Sequence, residues 1–189
     1  RSALYEAVDD SLQTAWFDQS DEYDIDDYGY EAYMDFEEYD GSDTSDFAAL
    51  AYYLSAGYEP MNLGLRTGNE LSAADRQAVE KLTGAIDAAD RITDPIIVHR
   101  GVSAGVPEDV QPGQMLHDPG FMSTSTNPGD ADLFASDVMF DLEVPAGTRA
   151  LAGSVGEDEV LIQRGSSIEV IEVTRQDGYR RIKGRVVQP

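Results

Sequence analysis

The residue pattern changes at Pro95, and this change constrains the fold more than any other feature of the chain. Before Pro95, apolar residues recur at helical spacing. After it, short apolar stretches alternate with Pro, Gly, Asp and Asn, which is typical of strands joined by turns. Helices followed by a run of strands favour an α+β fold over a doubly wound sheet. No G-x-G-x-x-G fingerprint follows a strand, so a Rossmann domain is not expected.

Three helices are predicted between Asp46 and Pro95, at residues 46–56, 58–66 and 73–89. Asp46 is predicted to cap the first helix and Gly57 to end it. Ser72 is predicted to cap the third helix, with Asp75 as a capping-box partner. Strands are predicted at residues 96–100, 113–116, 121–125, 138–144, 149–151, 159–163, 167–174 and 179–187.

The first 45 residues differ in composition from the rest. Residues 18–46 hold thirteen of the 37 Asp and Glu, and no Lys or Arg lies between Arg1 and Arg66. Such a segment repels itself and has few aliphatic side chains to bury. We therefore predict an acidic N-terminal helix and linker at 1–45, with the helix over 3–17, and a folded domain at 46–189. The acidic segment is interpreted either as a loosely packed linker or as a segment that docks on a basic partner or on a longer parent protein, of which Arg1 marks a processed or excised start.

Composition argues against several classes of protein. The net charge of −24 disfavours a nucleic-acid partner and favours a basic one. No run of 18 apolar residues is present, so no membrane span is predicted. The chain lacks Cys and has two His, His99 and His117, so no disulfide and no metal site built on Cys or His is predicted, while ion binding by carboxylates stays open.

The stretch 156–162 places Glu157 and Glu159 two positions apart, directly before an apolar run. In extended backbone, side chains at i and i+2 point the same way, so the two carboxylates are expected to converge while Asp158 points elsewhere. Paired carboxylates suit chemistry in which one stabilises a sugar cation and the other orients a nucleophile.

Two further motifs precede this pair in the chain. Residues 96–102 include an apolar strand predicted to end at Arg100, whose planar guanidinium suits bidentate binding of phosphate. Residues 120–126 contain Ser123, Thr124 and Ser125, and a hydroxyl group on a buried strand needs a hydrogen-bond partner. The order along the chain is strand with Arg, then Ser-Thr-Ser, then Glu-x-Glu.

This order resembles the Arg-Ser-Glu class of mono-ADP-ribosyltransferases, the family that includes the clostridial binary actin-modifying toxins, over residues 47–187. The resemblance implies a split β-sandwich with helices packed at its side, and a catalytic domain at 46–189. It implies NAD as substrate, without a metal, and an arginine of a host or target protein as acceptor. It also implies a toxin or effector that is secreted or delivered into a target cell and acts in its cytoplasm.

The resemblance also implies roles for single residues. Glu159 would stabilise the developing cation, Glu157 would orient the acceptor, and Ser123 would hold Glu159 in place. Thr124 and Ser125 are interpreted also as supports of the cleft, and Phe134 as a residue that stacks on nicotinamide or packs in the core. The residues implied to contact NAD are Arg100, Gly101, Phe134, Ser123, Thr124, Tyr58, Asn62 and Arg66, with Tyr53 beside them on the helical segment.

One position departs from the family pattern. The toxins carry a second arginine shortly after the stacking phenylalanine, and Asp137 stands there in this chain. Either another cation such as Arg66 replaces it, or NAD affinity is weaker. Two other functions stay open: an NAD glycohydrolase with water as acceptor, and a binding module without catalysis whose acidic segment captures a basic partner.

Overall fold

The computed structural model describes residues 45–132, 135, 137–152, 158–176 and 179–189. The predictions for the acidic segment and its helix, for Phe134 and for Glu157 lie outside these residues. They stay predictions, as does the boundary between the two predicted parts of the chain.

Four α-helices and one π-helical turn lie in the described part of the chain. They are α1 (Asp46–Tyr52), the π-turn (Tyr53–Gly57), α2 (Tyr58–Thr67), α3 (Ala73–Ala88) and the short α4 (Pro128–Asp132). The predicted cap Asp46 is wrong by one residue, because the hydroxyl of Ser45 accepts the Ala48 N–H at 3.1 Å.

The predicted helix end at Gly57 is also wrong. Gly57 has a right-handed φ of −79°, so the chain continues from α1 through the π-turn into α2. A Cβ at Gly57 would lie 2.5 Å from the ring of Tyr52, so close packing explains this glycine. Gly68, with a φ of +73°, ends α2 instead, and its N–H donates to the Gly64 carbonyl.

The N-terminus of α3 has the predicted cap. The Ser72 hydroxyl accepts the Asp75 N–H at 3.0 Å and donates to the Asp75 carboxylate at 2.6 Å. The apolar face of α3 is buried through Val79, Leu82 and Ile86.

One mixed sheet contains all the described strands. They are β1 (Ile96–Val102), β2 (Met115–His117), β3 (Met122–Ser125), β4 (Val138–Val144), β5 (Ala150–Ala152), β6 (Glu159–Ile162), β7 (Ser167–Gln176) and β8 (Tyr179–Val187). Their spatial order is β2-β7-β8-β4-β1-β3-β6-β5, and only β4 and β8 pair in parallel. The α+β prediction is confirmed, with the helices before most of the strands.

The sheet is split between β1 and β3. These strands share a single residue pair, His99 with Ser125, whereas β1 and β4 pair along seven residues. The buried core between the two parts draws on both, for example Val98 and Leu142 from one part and Met122 from the other. A second core joins the helices to the outer side of β3, β5 and β6. It includes Tyr53, Met61, Leu82, Ile86, Phe121, Leu151 and Leu161.

The split opens beside the motifs that the sequence singled out, because Arg100 lies on β1, Ser123 on β3 and Glu159 on β6. No helix of the described residues is long and apolar enough to cross a membrane.

Candidate active site

Strand pairing brings the Ser-Thr-Ser and Glu-x-Glu motifs side by side. Ser125 lies opposite Glu159, and Ser123 lies opposite Leu161. Residues that face each other across two strands share one side of the sheet, so Ser123 and Glu159 lie on the same side. The side chain of Thr124 lies on the other side, where its hydroxyl donates to the Val160 carbonyl at 2.6 Å. Thr124 therefore ties β3 to β6 beneath the site.

Arg100 extends from β1 across the split to β3. Its Nη1 donates to the Ser123 carbonyl at 2.9 Å, and only 15% of its side chain is exposed. Burial lowers the pKa of Arg100, while the negative charges of Asp118 and Glu159 act in the opposite direction. A guanidinium nevertheless stays charged in proteins. Arg100 thus supplies a positive charge at a position that is largely shielded from solvent, unlike an arginine in an exposed ion pair.

The Ser123 hydroxyl is bound from the helical side. The Tyr53 hydroxyl lies 3.0 Å from Ser123 Oγ, and Asn62 Nδ2 donates to Tyr53 at 2.9 Å. Asn62 Oδ1 accepts the Phe121 N–H at 2.8 Å, and the Tyr53 ring packs edge-on against Phe121. Burial raises the pKa of Tyr53, which therefore stays a neutral phenol and a hydrogen-bond donor.

Tyr53 and Asn62 thus have a place that sequence reasoning missed. They were expected to line the site for NAD, yet Tyr53 is 1% exposed and Asn62 6%, and their polar groups bind the protein. The structural feature that marks Tyr53 is the π-turn, which begins at this residue and is of a kind that recurs at functional sites.

Glu159 begins β6 and is half-buried. Its charge raises the pKa of both Tyr53 and Arg100, so its carboxylate acts in the same site as these two groups. Glu159, Ser123 and Arg100 thus lie on three neighbouring strands, β6, β3 and β1, around one site.

The backbone between the two glutamates is not extended. Asp158 has a φ of +49°, in the left-handed region, and its carbonyl accepts the Thr126 N–H at 3.0 Å. The premise of extended backbone is wrong at this residue, because the chain turns there into β6. The alternation rule does not apply across such a turn, so convergence of Glu157 and Glu159 stays a prediction.

Comparison of the chain with models of protein families identifies its family. Residues 25–186 match the family model described as ADP-ribosyltransferase exoenzyme. The chain belongs to the ADP-ribosyltransferase exoenzyme family. The resemblance that the order of the motifs indicated is thus confirmed at the level of the family.

Two bacterial proteins show the likeness in sequence. Mav of Mycobacterium avium, which carries the name of an NAD(+)–arginine ADP-ribosyltransferase, is 29% identical over 136 residues, 70% of this chain and 16% of Mav. Secreted exoenzyme S of Pseudomonas aeruginosa is 26% identical over 126 residues, 65% of this chain and 28% of the exoenzyme. The chain therefore spans less than a third of the length of either relative.

Solved structures show the same fold. Exoenzyme S in complex with human 14-3-3 protein beta, bound to carba-NAD, superposes with a TM-score of 0.68 at 20% identity, covering 96% of this chain and 88% of that one. C3stau2 of Staphylococcus aureus with NAD gives 0.64 at 20% identity, covering 87% and 95%. The fold of this exoenzyme-family chain is that of the ADP-ribosyltransferase toxins.

Three other predicted site residues lie in the described part of this exoenzyme-family chain, namely Gly101 on β1 and Tyr58 and Arg66 on α2. Gly101 follows Arg100 on β1 and is half-buried. Tyr58 is 48% exposed, whereas Asn62, one helical turn later, is buried. Arg66 near the end of α2 binds Asp118 with both fork nitrogens, at 2.8 and 2.9 Å.

Asp137, which stands where the toxins have an arginine, is paired with a cation. Its carboxylate binds Arg180 of the parallel strand β8 at 2.9 Å. Arg180 has a side chain that is 4% exposed, and it also donates to the carbonyls of Val106 and Pro107. The negative charge of Asp137 is thus neutralised within the protein. Among the described residues, no group of three or more His, Cys, Asp or Glu is placed to hold a metal ion.

Proposed function

We propose that this member of the exoenzyme family transfers a single ADP-ribose unit from NAD to an arginine of a target protein and releases nicotinamide. The observation that carries the proposal is the meeting of Arg100, Ser123 and Glu159 on three neighbouring strands at the split of the sheet. The motifs that hold these residues are far apart in the chain, so their meeting is a property of the fold.

The positive charges of the site suit an anionic dinucleotide. Arg100 is largely buried, and a guanidinium in a dry place binds phosphate oxygens strongly. Arg66 and Arg100 lie next to the same Asp118 carboxylate, at 2.8 and 3.7 Å, so two guanidinium groups stand together for the diphosphate of NAD. In this proposal Gly101 and Tyr58 contact other parts of NAD, and Phe134 stacks on nicotinamide.

Glu159 has the position and charge for the chemical step. The bond between the nicotinamide nitrogen and C1′ of the ribose breaks, its electron pair leaves with neutral nicotinamide, and positive charge develops on the ribose. The Glu159 carboxylate stabilises that charge and binds the ribose 2′-hydroxyl. Ser123 keeps the carboxylate in place, while Tyr53 holds the Ser123 hydroxyl at 3.0 Å.

The acceptor in this proposal is an arginine. A guanidino nitrogen of the acceptor forms the new bond to C1′ and gives up one proton. Glu157 orients the acceptor, since a carboxylate and a guanidinium match through paired hydrogen bonds. The name of Mav as an NAD(+)–arginine transferase supports this acceptor.

Radiolabelled NAD tests the proposal, with a cell lysate or agmatine as acceptor. The wild-type protein should label lysate proteins and agmatine. Glu159→Gln should lose both transfer and hydrolysis, on the order of 10²–10³ in rate. Glu157→Gln should lose transfer and keep much of the hydrolysis.

Glu143→Gln is the matched control, because Glu143 is an exposed carboxylate on β4 that pairs with Arg185. It should behave like the wild type. Free ADP-ribose without labelled protein or agmatine would identify a glycohydrolase, and no turnover of NAD would leave only a binding module. Wild-type turnover by Glu159→Gln would refute the role of Glu159.

The partners and the location belong to the same proposal. We propose a toxin or effector that is secreted or delivered into a target cell, and the name of secreted exoenzyme S supports this. The acidic residues 18–46 are proposed to attract a basic partner or target. Removal of residues 1–44 should then leave NAD hydrolysis intact and weaken target labelling, and the difference in labelling should shrink at high salt.

A truncated protein that does not fold would show that the predicted boundary at residue 45 lies too late in the chain. Equal target labelling by the truncated and the intact protein would refute recruitment by the acidic segment.

A further inference from the structure

The carboxylate of Asp118 lies between two guanidinium groups. Arg66 Nε donates to Asp118 Oδ1 at 2.8 Å, and Arg66 Nη2 donates to Oδ2 at 2.9 Å. Arg100 Nη2 lies 3.7 Å from the same Oδ2. One carboxylate thus holds a cation from helix α2 and a cation from strand β1 on its two sides.

Each guanidinium has a second anchor on the chain just after Asp118. Arg66 Nη2 donates to the Phe121 carbonyl at 3.2 Å, and Arg100 Nη1 donates to the Ser123 carbonyl at 2.9 Å. The segment from Asp118 to Ser123 therefore supplies every acceptor of these contacts, through one carboxylate and two backbone carbonyls, and it fixes the two cations relative to each other.

The turn after Asp118 is built for this contact. The Gly120 N–H donates to Asp118 Oδ1 at 2.9 Å, which orients the carboxylate. A Cβ at Gly120 would lie 2.6 Å from Asn62 Oδ1 and 3.1 Å from Arg66 Nε. Only glycine lets the turn approach α2 this closely, so Arg66 reaches Asp118 without a bulky neighbour in between.

Electrostatics shows why the two cations need the carboxylate. The charge of Arg66 lowers the pKa of Arg100, which means that the two guanidinium groups repel each other. Asp118 acts in the opposite direction and is the largest of the influences that raise the pKa of Arg100. Its side chain is 18% exposed, so solvent screens this attraction only in part. Arg66 is 36% exposed, and a neutral side chain in place of the carboxylate would no longer bind its fork through two charged oxygens.

We propose that Asp118 is a positioning residue that holds Arg66 and Arg100 together as a paired binding site for the diphosphate of a dinucleotide. The proposal rests on the proposed use of NAD by this site. Asp118 acts through the two arginines and does not itself contact the substrate. It is therefore a negative group that increases the affinity for a negative ligand, opposite to the effect expected from its charge alone.

The test uses Asp118→Asn in the full chain, because asparagine keeps the size and one oxygen acceptor but loses the charge. Calorimetry with ADP-ribose reports diphosphate binding, and NAD hydrolysis separates KM from kcat. We expect Asp118→Asn to weaken ADP-ribose binding and to raise KM for NAD about tenfold, as for loss of one forked phosphate contact, with kcat within about twofold of wild type.

The double variant with Arg66→Met distinguishes positioning from a general structural effect. Arg66→Met alone should raise KM to a similar extent. Asp118→Asn should then add clearly less than its full effect in the wild-type background, because Arg66 is already absent and only Arg100 is left for the carboxylate to hold. Asp141→Asn is the matched control: Asp141 also binds an arginine fork, that of Arg181, at 2.5 and 2.9 Å, but its side chain lies on the other side of the sheet from Arg100. It should leave KM unchanged.

Several results would overturn the proposal. They are an unchanged or lower KM in Asp118→Asn, a loss of kcat alone, and a full further loss in the Arg66→Met background. If Asp118→Asn melts below the assay temperature, Asp118→Glu replaces it, since its charge is kept but the fork is displaced by one methylene; an unchanged KM there refutes positioning. A folded wild-type protein that binds neither NAD nor ADP-ribose would refute the proposed function and this inference together, whereas wild-type turnover with an unaffected Asp118→Asn would refute the inference alone.

Discussion

Replacement of Tyr53 by phenylalanine removes one hydroxyl group and leaves the ring in place. The ring packs edge-on against Phe121 with centroids 5.5 Å apart, and phenylalanine keeps that contact. What is lost are two hydrogen bonds, from Asn62 Nδ2 at 2.9 Å and with Ser123 Oγ at 3.0 Å. Tyr53→Phe is therefore a clean probe of the polar network between α2 and β3.

The size of the effect follows from burial. Asn62 is 6% exposed, so its Nδ2 group loses its acceptor in a place that water does not reach. An unsatisfied buried donor costs about 1–3 kcal/mol. A loss of about 2 kcal/mol corresponds to a decrease in Tm of roughly 4–8 °C for a domain of this size. The Ser123 hydroxyl also loses a partner; if Ser123 holds Glu159 as proposed, kcat should fall by roughly ten- to a hundredfold.

The pH dependence gives a second measure. Burial raises the pKa of Tyr53 above that of a tyrosine in the unfolded chain, which is about 10. Below that pH the phenol is neutral in both states and its contribution to stability is complete. As the pH rises past 10, the unfolded state ionises first, so this contribution is progressively lost. The difference in the free energy of unfolding between wild type and Tyr53→Phe should therefore shrink above about pH 10.

Thermal unfolding, denaturant titration between pH 7 and 11, and NAD hydrolysis measure these effects. Tyr58→Phe is the control for the two unfolding measurements, because Tyr58 is 48% exposed and five residues away on the same helical segment. Ser123→Ala combined with Tyr53→Phe should lower kcat no more than Ser123→Ala alone. Equal Tm and kcat for wild type and Tyr53→Phe would refute the argument that this network positions Ser123.

Three further predictions follow from single contacts. Asp137→Ala should lower the free energy of unfolding by about 3 kcal/mol, because the buried Arg180 loses its counter-charge; denaturant titration checks this, and a loss below the error of the titration would contradict it. Gly120→Ala should cost roughly 1–3 kcal/mol through the contact of its Cβ with Asn62 and raise KM for NAD, and an unchanged KM would show that the turn has room to move. Asp141→Asn should destabilise the protein at neutral pH: burial alone would raise the pKa of Asp141, but hydrogen bonds from Arg181 and His99 lower it. The stability that this carboxylate contributes is present above the pKa of an unfolded aspartate and is lost as the pH falls through the lower folded value. The difference in stability from wild type should therefore vanish in acid, and a pH-independent difference would contradict the prediction.

Much of the fold was predictable from local pattern. The third helix was predicted with its cap Ser72, since a hydroxyl that accepts the N–H three residues on is a contact within one turn. The strands after Pro95 were predicted because apolar stretches and turn residues alternate there. Three local predictions were wrong: the helix cap at Asp46, the helix end at Gly57 and the extended backbone at Asp158. At these positions neighbouring turns or ring packing determine the backbone conformation.

The sequence by itself determined which residues are proposed to carry the chemistry and in what order they occur, because Arg100, Ser123 and Glu159 belong to short motifs with recognisable strand contexts. Only the tertiary structure decided what surrounds them. Tyr53 bonds to Ser123 across 70 positions, and Arg66 to Asp118 across 52. Such contacts depend on how the sheet splits and where the helices pack against it, and no local pattern of residues encodes the distance between two groups so far apart in the chain.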